Sequence, residues 1–132
     1  MEKKNIFIYD KWSLQDTEDN PNRLFIFGDN LAHVGTGGQA CIRYSRAKNA
    51  YGIPTKKCPT MSNNCFFTDD EFEDNIASIL DAIENIPFDK YDEIAIPSNI
   101  WGSGLAQMHI KCPKTFSFVK KLYNNLKTHG EF

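Results

Sequence analysis

Apolar residues come in short dense blocks separated by turn-forming residues, and the blocks change period along the chain. NIFIYD (5 to 10) reads as a strand, and RLFIFGD (23 to 29) and EIAIP (93 to 97) as buried strands. A run that is continuously apolar, rather than alternating, suits a sheet covered on both faces. AYGIPT (50 to 55) predicts a further short strand, and its Gly52 and Pro54 place it at an edge, because proline cannot donate to a ladder. DTEDNPN (16 to 22) predicts a loop.

Three stretches carry helical spacing. Gly37 to about Lys48 repeats Ala40, Cys41, Tyr44 and Ala47. Asp69 to about Asn85 places Phe72, Ile76, Ile79, Leu80 and Ile83 on one stripe, with Thr68 and Glu71 at capping-box spacing in front of it. Pro113 suits the first turn of a last helix, whose inner face is Phe116, Val119, Leu122, Tyr123 and Leu126 and whose stop is Gly130. Strands alternating with helices predict a single α/β domain over residues 1–132, with a mixed, largely parallel sheet flanked by helices.

Composition narrows the partners more than the fold. A formal charge of −2 and 24% charged residues disfavour nucleic acid as the partner. Apolar runs such as Leu24 to Phe27 fall far short of the roughly 20 residues a membrane span needs. MEKKNIFIYDKW lacks the apolar length and cleavage site of a leader, so the expected location is the cytoplasm. Reduced thiols are then expected at Cys41, Cys58, Cys65 and Cys112. Zinc held by Cys58, Cys65, His109 and Cys112 is the rival reading, disfavoured by a spacing wider than structural zinc sites use. No metal and no cofactor is expected.

The chemistry is expected in two glycine-bearing loops that follow buried strands. The first holds Gly35, Thr36, Gly37, Gly38 and Gln39, and the second runs Pro97, Ser98, Asn99, Ile100, Trp101, Gly102, Ser103 and Gly104. Glycine turns leading from strand to helix offer backbone N–H groups without intrahelical partners, and phosphate is their natural guest. In open α/β sheets ligands bind at the carboxyl ends of the strands, so both loops could serve one diphosphate. Each glycine also has a plainer use in a tight turn, and Trp101 serves equally as core or as a wall for a ligand ring.

FIFGDNLAHVGTGGQACI resembles the macrodomain pattern of a strand ending in asparagine, a glycine cluster and a helix, and IAIPSNIWGSGLAQ resembles that family's second loop. FGDN, GTGGQA, GIPTKK and FFTDDEF together look like a divergent group of small microbial and phage macrodomain-like proteins. The resemblance covers about residues 23 to 110. It implies a three-layer sandwich and an ADP-ribose-like ligand, free or on an ADP-ribosylated macromolecule. Its diphosphate would lie between the loops, with Asn30 near the distal ribose.

The resemblance and the local chemistry together nominate Asp29 and Asn30 as catalytic, Asp29 as a base or a hydroxyl-orienting group. Gly28, Leu31, Thr55 and Lys56 complete the expected binding set with the two loops. Lys56 and Lys57 could neutralise a terminal phosphate or solvate a loop. Asp10 matches by position the acidic residue that binds adenine, and His33 is an acid/base candidate beside the first loop. Three functions remain open: hydrolysis of an ADP-ribosyl bond, binding without turnover, and a structural or interaction role.

Overall fold

The computed structural model describes residues 4–132; Met1 to Lys3, part of the stretch read as carrying no leader, lie outside the described residues. Four strands form the sheet: β1 (Asn5–Tyr9), β2 (Arg23–Asn30), β3 (Ala50–Lys56) and β4 (Glu93–Pro97), in the order β1-β4-β2-β3. Every pairing is parallel, so the sheet is not mixed. The one antiparallel contact among the described residues is an isolated bridge from Lys56 to Phe66. β3 lies at an edge, as its proline requires.

Alternate side chains of the strands enter two separate cores. Leu24, Ile26, Ile53, Ile94 and Ile96 join Ile79 of helix α2 (Phe72–Asn85) and Val119, Leu122, Tyr123 and Leu126 of helix α4 (Pro113–His129). Phe25, Phe27 and Ala95 join Trp12, Ala40 and Ile42 in a second cluster. Continuous apolar runs in β2 and β4 follow from this, since both faces of each strand are covered. The protein is thus α/β, with helices packed on a four-stranded parallel sheet.

Several predicted elements change form. Residues 16 to 22 are not all loop, because helix α1 (Leu14–Asp19) occupies the first part, held by a capping box between Ser13 and Asp16. The helix expected from Gly37 is a 3-10 segment, Gly38–Ile42, followed by turns. Tyr44 of the supposed inner stripe is exposed, and Ile42, outside that stripe, is buried with Ala40. Buried Asn49 ties the end of these turns to the rest of the fold: its Oδ1 accepts from Ser45 Oγ, and its Nδ2 lies 2.8–3.0 Å from the carbonyls of Thr17, Asn20 and Arg23.

The next helix begins as a 3-10 turn, Asp69–Glu71, and Thr68 does not cap it. Thr68 Oγ1 donates instead to Glu71 Oε1, which also pairs with Lys57 Nζ. Leu80 is 49% exposed, whereas Asn75 is buried and donates to Thr68 O and Thr115 Oγ1. Pro113 opens α4 and Gly130 ends it, both as expected. A short helix α3 (Met108–Lys111) precedes α4. No helix among the described residues is long and apolar enough to cross a membrane.

The cysteines are not all reduced. Cys58 and Cys65 form a disulfide, while Cys41 and Cys112 are free. That bond removes two of the four ligands from the zinc reading.

Candidate functional site

β2 and β4 are parallel neighbours, so the loops that leave their carboxyl ends emerge side by side. Gln39 ties them together: its Oε1 accepts the Gly28 N–H at 2.9 Å and its Nε2 donates to Asn99 O at 3.0 Å. A Cβ on Gly28 would stand 3.8 Å from the Gly102 nitrogen, and one on Gly37 would stand 3.8 Å from Leu105 Cδ1. Between the loops lies a cleft of about 830 Å³, within the size range of small-molecule and cofactor sites.

The first loop presents its main chain to this cleft. Residues 34 to 39 all line it, and no acceptor among the described residues takes any of their six backbone N–H groups. Gly38 has φ +57, and a Cβ there would meet nothing within 4 Å. Conformation rather than crowding therefore asks for glycine at this point. In the second loop the N–H groups of Gly104, Leu105 and Ala106 are likewise without acceptors among the described residues, and all three residues line the cleft.

The two catalytic nominees part company. Asp29 is buried, and its carboxylate is engaged on both oxygens: Oδ1 accepts from Arg43 Nη2 and from the Asn30 N–H, and Oδ2 lies 3.0 Å from His33 Nδ1. A carboxylate shared in this way organises the loop, with three of its roughly four acceptor positions taken. Asn30 donates through Nδ2 to Val34 O, but its Oδ1 is buried with no hydrogen-bond partner among the described residues. Buried acceptors are rarely left without a donor, so this oxygen stands out beside the cleft.

The structure brings most of the expected binding set to one place. Gly28, Gly35, Thr36, Gly37, Gly38, Gln39, Thr55, Lys56, Pro97, Asn99, Gly102, Ser103 and Gly104 line the cleft with Asp29 and Asn30. Four residues do not. Leu31 lines a smaller hollow of about 410 Å³ along the β3 edge, together with His33. Ser98 donates its N–H to Tyr9 O, and Ile100 packs against the larger core. Trp101 is wholly buried and donates Nε1–H to Ile26 O, so it is core and not a ligand wall.

Thr55 is also committed, its Oγ1 donating to Asp29 O. Lys56 is 6% exposed, and its Nζ donates to Thr60 O at 2.8 Å. Burial lowers its pKa below the ordinary lysine value.

Sequence reasoning missed the far wall, made of Tyr9, Lys11 and Trp12, which Asp10 joins as an exposed rim residue. Trp12 donates Nε1–H to Gln39 O and stacks edge-on to Phe25. A tryptophan just beyond a strand's carboxyl end was the available signal. Arg43 was missed as well; Nε donates to Gly35 O and Nη2 to Val34 O. Its guanidinium thereby fixes the carbonyls of the first loop and leaves the amides free.

No curated protein and no solved structure matches the chain. Residues 7–122, covering β1 through most of α4 and hence the whole cleft, match the model of a family of unknown function, DUF7831, and the chain belongs to that family.

Proposed function

We propose that the chain binds ADP-ribose or a related NAD-derived nucleotide, with the diphosphate on the amides of the two loops. The observation that carries this reading is the run of six N–H groups at residues 34 to 39 that have no acceptor among the described residues, in residues that all line an open cleft. Oriented amides of this kind bind anions without a cationic side chain. The cleft runs past the ends of all four strands, from Tyr9 at the end of β1 to Lys56 at the end of β3. Three interstrand spacings make that roughly 14 Å, room for an extended dinucleotide-like molecule. Asn30 Oδ1 then accepts from a ribose hydroxyl.

The two cores on opposite faces of β2 suit a three-layer, macrodomain-like sandwich. The engaged carboxylate of Asp29 favours binding over hydrolysis of an ADP-ribosyl bond.

Calorimetry with ADP-ribose tests the reading. Gly37 has φ −78, and a Cβ there meets only Leu105 Cδ1, so Gly37→Leu should fold normally while filling the space a phosphate needs. Its affinity is expected to fall about tenfold or more, a loss of about 1.4 kcal/mol. Folded wild-type protein that takes up no ADP-ribose would overturn the proposal. Chromatography of an ADP-ribosylated peptide after incubation is expected to show the substrate unchanged, and released ADP-ribose would reinstate hydrolysis.

A further inference from the structure

Charge is segregated along the second half of the chain. No lysine or arginine occurs from Cys58 to Asp89, and no aspartate or glutamate from Ile94 to Gly130. The two long helices over the larger core therefore carry opposite signs. On α2 the acids Glu73, Asp74, Asp81 and Glu84 are exposed, and on α4 the lysines Lys114, Lys120, Lys121 and Lys127 are exposed. Neither set is used within the chain. Among the described residues none of these side chains enters an ion pair, and Lys114 and Lys120 lie over the rings of Phe72 and Phe116.

The helices lie side by side and run the same way. At their first turns Asn75 Nδ2 donates to Thr115 Oγ1, and just beyond their last turns the rings of Phe88 and Phe132 are 5.5 Å apart. Glu73, Leu80 and Glu84 fall on one stripe by helical spacing, and Leu80 is half exposed there. The outer surface of the layer is thus a negative stripe beside a positive one. Such a surface complements itself in one of two ways. A two-fold axis parallel to the helices lays α2 of each copy over α4 of the other, whereas an axis across them lays α2 on α2 and α4 on α4. Like charges face to face repel, so charge selects the parallel axis. The face is small, because the 14 residues of α2 span about 21 Å and two adjacent helices are roughly 20 Å wide. An interface of that size is at the low end for protein pairs, and charge must contribute much of its hold.

We propose that the α2–α4 face is a self-association surface that takes a second copy of this chain across a two-fold axis parallel to the helices, with the lysines of each α4 against the acids of the other copy's α2. No residue of α2 or α4 lines the cleft, so this surface is independent of what the cleft binds.

Sedimentation velocity on the full chain tests it, in about 20 mM and about 500 mM salt, which shortens the screening length from about 20 Å to about 4 Å. The expected result is a monomer–dimer equilibrium in low salt whose dissociation constant rises about tenfold or more in high salt. Glu73→Lys/Glu84→Lys makes both helices positive and Lys120→Glu/Lys121→Glu makes the middle of α4 negative, so each variant alone is expected to be monomeric. Mixed one to one, they are expected to form a heterodimer, because each reversed helix then faces its opposite. Circular dichroism checks that each is folded, and the single changes Glu84→Lys and Lys121→Glu repeat the experiment should a double variant not fold. Wild-type protein that stays monomeric in low salt at about 200 µM would overturn the proposal. So would variants that dimerise alone as the wild type does, or a mixture that stays monomeric. Species that grow beyond a dimer with concentration would overturn the two-fold arrangement, since an open chain of copies uses the two stripes head to tail.

Discussion

The two glycine loops look alike in sequence and do different work. In the first, glycine keeps side chains out of an open space: a Cβ on Gly38 would touch nothing, and the amides around it have no acceptor among the described residues. In the second, Gly102 stands against Met108, whose sulfur a Cβ would overlap, and the neighbouring Trp101 is wholly buried. One loop is shaped by what it leaves free, the other mostly by what it packs. Glycine content alone therefore cannot separate a ligand loop from a packing loop; the neighbours of each missing Cβ can.

The largest way to break this comparison is Gly102→Ala. The residue has φ +85, and its new methyl would collide with Met108. Left-handed backbone costs a non-glycine residue about 1–2 kcal/mol and overpacking about 1–3 kcal/mol more. Urea unfolding is expected to show a loss of about 2–5 kcal/mol, whereas an alanine at Gly104, where a Cβ meets nothing, should cost far less. A loss below about 0.5 kcal/mol for Gly102→Ala would show that the second loop is as open as the first.

Reduction of the Cys58–Cys65 bond comes next, because it acts on one loop only. The segment it closes carries Pro59, whose Cβ lies 3.4 Å from the place of a Gly35 Cβ, and Thr60, whose carbonyl accepts from Lys56. Releasing so short a loop is expected to lower stability by about 2 kcal/mol. In amide NMR spectra of the Cys58→Ser/Cys65→Ser variant, the changes should fall on residues 30 to 38 and 56 to 66. Equal changes at residues 98 to 107 would mean that the two loops are one mechanical unit.

The sequence made the sheet legible, because burial on both faces writes itself as continuous apolar runs in β2 and β4. It also showed that the two loops share a sheet edge. It did not show the 3-10 form of residues 38 to 42, since the spacing of Ala40, Cys41 and Tyr44 imitates a longer helix, whereas the chain turns after Ile42 and is anchored at Asn49 to the distant carbonyls of Thr17, Asn20 and Arg23. The engagement of Asp29 was hidden too. It depends on Arg43 and His33 folding back over the strand end, which nothing in a local window reveals. The disulfide was misjudged for a different reason, as compartment was inferred from a leader pattern while pairing depends on an antiparallel return from Lys56 to Phe66.

Gln39→Ala is the finest probe of the comparison, because this side chain is what the two loops share. Removing it leaves the Gly28 N–H and the Asn99 carbonyl without their partner. Gly28 is the more costly of the two, since it lies inside β2 beneath the loops, and an unsatisfied buried donor costs about 1–3 kcal/mol. Water entering from the cleft can take up Asn99 O, so the expected loss is about 1 kcal/mol, with faster hydrogen exchange at Gly28 as its local mark. Gln39→Glu keeps an acceptor for Gly28 but loses the donor to Asn99, and should protect Gly28 while freeing the second loop. If both variants exchange Gly28 at the wild-type rate, the loops are held apart and together by their own backbones, and Gln39 is free to face the ligand instead.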